Sequence, residues 1–111
     1  KLLCIAPNVA SVTFPATLTE LAYGAFKHST SLTQVSVPAS LIKIGNNAFY
    51  GCNKVDAFDF SQCTQLTYIA SSAFKNCKAD AVFTVTEDGN IKNLLLNSQS
   101  GIKASQITEV P

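Results

Sequence analysis

The chain has no arginine. Its eight basic side chains are all lysines, set against seven carboxylates, for a net charge of +1. Forked readout of phosphates and base edges leans on guanidinium groups. A nearly neutral chain also has no long-range field to steer it to nucleic acid or to an anionic membrane. Neither partner is expected. Charge of either sign is scarce, at 14% of residues, whereas 47% are hydrophobic. That balance suits a packed core and argues against disorder. No apolar run approaches the roughly 18 residues of a membrane-spanning helix, so direct membrane insertion is not expected. An opening methionine and a signal peptide are both missing, as expected of a mature or trimmed chain whose targeting segment has been removed.

Several chemical motifs are missing too. There is no Gly-x-Ser-x-Gly nucleophile turn, no glycine-rich phosphate loop and no Asn-x-Ser/Thr acceptor for N-glycosylation. No Cys-x-x-Cys occurs, and His28 is the only histidine, so a zinc site is not expected. No cofactor is called for. His28 reads as a surface loop residue. Among the four cysteines, Cys52 and Cys77 hold equivalent places in neighbouring repeats, close enough in principle for a disulfide. Side chains in a stacked ladder point the same way, however, so free buried thiols are favoured. Cys63 is expected to be the more exposed. An even count that includes Cys4 keeps a disulfide open.

The positive signal is a tandem repeat. Ala25-Phe26, Ala48-Phe49 and Ala73-Phe74 recur at 23 and then 25 residues. Val12-Thr13-Phe14-Pro15 matches Val35-Ser36-Val37-Pro38, then Phe58-Asp59-Phe60 and Phe83-Thr84-Val85. Leu18, Leu41 and Leu66 correspond, as do Leu21, Ile44 and Ile69. The third copy carries two extra residues near Gln62–Thr64. All seven phenylalanines fall at repeat-defined positions, which a fold without a repeat gives no reason for.

A unit this short cannot close its own core, so units must stack and share one. In each, apolar and polar residues alternate through Leu32, Gln34, Val35, Ser36 and Val37, the pattern of a strand with one buried face. Pro38 lacks an N–H and ends it. Strands are expected near 10–14, 33–37, 56–60 and 81–85. Each follows a full coil, so they must run parallel. Asn46–Tyr50 reads as one helical or 3₁₀ turn capped by an asparagine.

The run Leu32, Val35, Val37, Pro38, Leu41, Ile44, Gly45, Ala48, Phe49 and Cys52 resembles the BspA-type leucine-rich repeat of bacterial and protist surface proteins. The likeness covers about residues 9–85. Copies depart at Ser29, Ala22, Ser61, Ala70 and Asp80. The resemblance implies a strand-dominated α/β fold: a curved right-handed leucine-rich-repeat solenoid of three to four repeats of 23–25 residues, with parallel short strands and one-turn helices, capped at both ends. It also implies secretion or cell-surface display and adhesion-type binding.

One domain spans 1–111. Residues 1–8, with Leu2, Leu3 and Ile5, are expected to form an N-terminal edge strand or cap that falls, by register, where an Ala-Phe turn would lie. Residues 9–85 carry the repeats. Residues 86–111 break the pattern. There Asp88-Gly89 signals a turn and Ile91–Leu96 is expected to return antiparallel to Phe83–Thr86. Ile102–Val110 is then a last strand or the start of a linker, so that the segment caps the core or leads onward.

The outward strand positions are Ser11 and Thr13, Gln34 and Ser36, Ala57 and Asp59, Val82 and Thr84. This surface is small, hydroxyl-rich and nearly neutral. Thr13, Gln34, Ser36, Asp59 and Thr84 form the candidate protein-binding face, and a monomer is expected. Asp59 is its one carboxylate, whereas paired-acid hydrolysis needs two acids about 5–9 Å apart. A lone acid gives no paired-acid site, and the family resemblance taken with this face implies a non-enzymatic, adhesin-like module binding a host or neighbouring-cell protein, such as a matrix or plasma protein. The alternatives are a spacer displaying another domain and, less favoured, a carbohydrate-active enzyme.

Overall fold

A computed structural model describes residues 2–3, 12, 14–87 and 89–111. The chain winds into stacked coils, each with three sides. The first side of a coil is a strand: β3 (Gln34–Ser36), β5 (Ala57–Asp59), β7 (Val82–Thr86) and β8 (Ile107–Val110), all parallel and in that order. The second is a two-residue strand: β1 (Leu2–Leu3), β2 (Glu20–Leu21), β4 (Lys43–Ile44) and β6 (Tyr68–Ile69), again parallel and in that order. The third is the Ala-Phe turn. The strand expected near 10–14 falls largely outside the described residues, together with Ser11, Thr13, Cys4 and Asp88.

Coils form because apolar residues mark the corners. Leu41 and Ile44 are buried while Ile42 and Lys43 between them face out, and Leu18 to Leu21 and Leu66 to Ile69 repeat this. That three-residue step bends the chain through a short second sheet, which period-two reasoning about the first strand does not reveal. β1 pairs through Leu2 with Glu20 and through Leu3 with Leu21. It is thus an edge rung of this second sheet, not the counterpart of an Ala-Phe turn.

The Ala-Phe segment is not a helical turn. Its N–H groups alternate between two kinds of acceptor. Ala48, Tyr50 and Cys52 donate three residues back, to Gly45, Asn47 and Phe49, while Phe49 and Gly51 donate across to Ala73 and Lys75 of the next coil. Helical winding would turn every donor inward, whereas stacking needs half of them sideways. The alternation requires left-handed backbone twice per coil: at Gly24 and His28, at Asn47 and Gly51, and at Ser72 and Asn76, with φ between 58° and 75°. Gly45 answers a different need. A Cβ there would stand 2.9 Å from the Leu21 carbonyl oxygen of the preceding coil.

The core is an aromatic lattice. Phe26, Phe49 and Phe74 stack at 5.2 and 5.4 Å between ring centres, and Phe58 and Phe83 stack at 4.9 Å. Edge-to-face contacts knit the two columns, Phe49 to Phe58 at 5.3 Å and Phe74 to Phe83 at 5.3 Å. Phe14 and Phe60 join at the margins. Offset and edge-to-face pairs add about 0.5–1.5 kcal/mol each beyond burial.

Residues 89–110 add a further coil in place of the antiparallel return expected for Ile91–Leu96. That stretch is helix α1 (Ile91–Leu96), which buries Ile91 and Leu95. The Ser98 carbonyl and the Ser100 hydroxyl then accept the N–H groups of Ser72 and Phe74, filling the place of the next Ala-Phe turn. β8 closes the coil parallel to β7.

Candidate functional site

The first sheet sets the candidate face. In β3 and β5 the central residues Val35 and Phe58 are buried, so Gln34, Ser36, Ala57 and Asp59 point away from the core. Parallel register then lines them into rows. Ser36 lies opposite Asp59, Asp59 opposite Thr84, and Thr84 opposite Thr108. Gln34 lies opposite Ala57, which lies opposite Val82. Neighbouring strands sit about 4.8 Å apart, so the Ser-Asp-Thr-Thr row crosses the sheet as a continuous line of short polar side chains. Ser36 and Gln34 are exposed, and Asp59 and Thr84 are half-buried. Thr13 lies outside the described residues.

Thr108 is absent from the sequence-based set. The step from Thr84 to Thr108 is 24 residues, within the 23 to 25 of the earlier copies, but the intervening helix breaks the repeat pattern and no Ala-Phe pair flags the coil. The step length itself was the available signal.

Asp59 is not a free carboxylate. Its Oδ1 accepts the N–H of Ser61 at 2.9 Å. The preceding coil has Pro38 at that position, with no N–H to satisfy. The departure from proline at Ser61 thus creates a donor, and Asp59 two residues earlier takes it up, the local turn chemistry typical of aspartate. Asp56 is engaged elsewhere: it pairs with Lys78, which also approaches Asp80 at 3.9 Å. The hydrogen bond from Lys78 to Asp56 holds the lysine above its ordinary pKa.

The thiols belong to the core. Cys52 and Cys77 donate to the carbonyls of Phe26 and Phe49 one coil back, at 3.1 and 3.2 Å. Cys63 is buried, contrary to the expectation of exposure. Its N–H bonds to Phe60 at 3.0 Å and draws it into the core, so the two extra residues bulge outward through Gln62, Thr64 and Gln65 instead. Burial pushes Cys52 and Cys63 up to about 11. Burial, reinforced by the neighbouring Cys52, pushes Cys77 up to about 12. All three are free thiols. Among the described residues, no group of three or more His, Cys, Asp or Glu side chains is placed to hold a metal ion.

The second sheet offers a different surface. Glu20, Lys43 and Tyr68 form a row in which Lys43 pairs with Glu20 at 3.8 Å and lies 5.6 Å over the Tyr68 ring. These charges satisfy one another. His28, as expected, is exposed on the Ala-Phe turn.

Residues 5–107 match the BspA type leucine rich repeat region (6 copies). The match reaches through α1 into β8, so it takes in the final coil as well as residues 9–85. No curated protein and no solved structure matches the chain. The family is typically a non-enzymatic protein-interaction module and is commonly surface-associated. No helix among the described residues is long and apolar enough to cross a membrane. On repeat, register and coil geometry together, the chain belongs to the BspA-type leucine-rich repeat family.

Proposed function

We propose that the chain is an adhesin-like module of a secreted or cell-surface protein, binding a host or neighbouring-cell protein through the face of the first sheet. The observation that supports this reading most is the row Ser36, Asp59, Thr84 and Thr108, flanked by Gln34; on the sequence repeat alone, Thr13 is assigned to the same proposed face. Concatenated strands give a nearly neutral, hydroxyl-rich surface that a partner can follow across several coils, the usual way in which solenoids bind.

The test must leave Asp59 alone, because its carboxylate satisfies Ser61 and its loss disturbs the turn. Ser36→Lys with Thr84→Lys places two ammonium groups on the face without touching that bond. A panel of purified extracellular-matrix and plasma proteins is probed with both forms. Saturable binding to a panel member, weakened at least tenfold in the double variant, supports the proposal. Binding untouched by the double variant would place the site elsewhere.

A second reading is a rigid spacer that displays another domain. What favours it is the make-up of the strand face. Its described outward residues include no aromatic side chain, and aromatic anchors dominate tight interfaces. This reading predicts that the folded chain binds no panel member.

A further inference from the structure

Each described ion pair draws its lysine from Lys43, Lys78 or Lys92 and its acid from Glu20, Asp56, Asp80 or Glu109. None of these residues lies in an Ala-Phe turn. The turn side carries Lys27 and Lys75 at the same repeat position, two coils apart, and among the described residues no carboxylate lies within ion-pair reach of either. Of the described lysines, Lys54 and Lys103 also stand outside every ion pair, but only the turn side sets two such lysines at one repeat position. Two coil steps of about 4.8 Å separate their backbones by about 10 Å. Between them, at the same position in the middle coil, stands Tyr50.

Tyr50 organises the groups around it. Lys27 Nζ sits 5.7 Å over its ring, His28 meets it edge-on at 5.5 Å, and Asn76 donates to its hydroxyl at 3.1 Å. His28 can lie there because Gly51 has no Cβ, which would stand 2.6 Å from His28 Nδ1. An ammonium, an imidazole and a carboxamide are thus held in place before any ligand arrives, and pre-organisation reduces the cost of binding. Tyr23 leaves 67% of its surface exposed, the most open of the large hydrophobic side chains described, and its hydroxyl accepts from Asn47 at 3.4 Å.

We infer that the Ala-Phe turn side is a binding strip for a linear anionic polysaccharide. The chemistry matches part by part. Lys27 and Lys75 meet carboxylate or sulfate groups. His28 and Asn76 offer hydrogen bonds to ring hydroxyls. Tyr23 offers an aromatic face to the C–H face of a sugar. A polymer of repeating charge suits a surface that repeats coil by coil. Single-stranded nucleic acid fits less well, because successive bases need a series of open stacking rings and Tyr23 alone is widely exposed here. This strip is separate from the strand face, so either site can fail without the other.

The test measures anisotropy of a fluorescein-labelled heparin oligosaccharide and, in parallel, an oligogalacturonate, titrated with the full chain. Lys27→Gln with Lys75→Gln is compared with Lys43→Gln with Lys103→Gln, which removes the same charge elsewhere. Tyr23→Ala probes the ring. All these side chains are exposed, so the folded state is checked simply by an unchanged melting curve. The proposal expects saturable binding to at least one glycan, weakened tenfold or more by the first pair, less than twofold by the second, and several-fold by Tyr23→Ala. Equal losses in the two pairs would reduce the effect to net charge and overturn it. So would no saturable binding to either glycan, or binding to polyglutamate or single-stranded DNA as tight as to the glycans.

Discussion

Ser72 and Asn76 occupy left-handed backbone in the third coil, at φ 62° and 61°, where the second coil has Asn47 and Gly51. A residue with a Cβ pays about 1–2 kcal/mol in that conformation. Ser72→Gly is therefore expected to raise stability in urea melts, by up to about 1 kcal/mol once the added flexibility of glycine is counted. Gly51→Ala is expected to cost about 1–2 kcal/mol from backbone strain alone, and more because its methyl group collides with His28. Neither constraint was legible in the sequence: Gly24, Asn47 and Ser72 share no side-chain chemistry, only a backbone angle. The cysteines lead to a prediction in pH. Their folded pKa values, about 11, 11 and 12, lie above the ordinary thiol value of 9.0. The protonated form is favoured by folding, so this stabilisation is complete below about pH 9 and is lost as pH rises through 11 to 12. At pH 9, Cys52, Cys63 and Cys77 should alkylate far more slowly in the folded chain than in urea, as read peptide by peptide in mass spectra. Equal rates would show that they are not buried.

At the scale of the element, the first strands were readable because Val35 and Phe58 alternate with polar neighbours and Pro38 marks an end. The second strands were not, because two residues make no period; only the buried Leu41 and Ile44 around exposed Ile42 and Lys43 betray the corner. The last coil was misread as an antiparallel return. Ile91 and Leu95 stand four apart, a helical spacing, but six residues make fewer than two turns, too short a window to show that period. The candidate face was legible in part for the same reasons. Ser36, Asp59 and Thr84 follow from alternation plus parallel register, while Thr108 lies beyond a helix that interrupts the repeat, and the engagement of Asp59 by Ser61 is a turn detail that alternation does not encode. The final coil makes a sharp prediction through Ser100. Its hydroxyl is the acceptor for the buried Phe74 N–H, so Ser100→Ala should orphan that donor and cost about 1–3 kcal/mol. A change within about 0.5 kcal/mol would mean that the coil merely lies against the core without completing its hydrogen bonds.

Across the whole molecule, one core serves three surfaces. The strand side is polar and nearly uncharged, the second sheet pairs its own charges, and the turn side keeps unpaired lysines. Such a division of labour is possible because no coil folds by itself. Phe49 touches Phe26 in the coil before it, Phe74 in the coil after it and Phe58 across the core, and it is fully buried. Ala48 beside it is fully buried as well, so Ala48→Leu should destabilise by about 1–3 kcal/mol through overpacking. The measurement that bears most directly on the account is equilibrium urea unfolding of Phe49→Ala against the parent chain. If the coils share one aromatic core, the variant unfolds in a single cooperative transition and is less stable by about 3–5 kcal/mol. A loss below about 1 kcal/mol, or a transition that splits in two, would contradict a shared core and with it the register that builds all three faces.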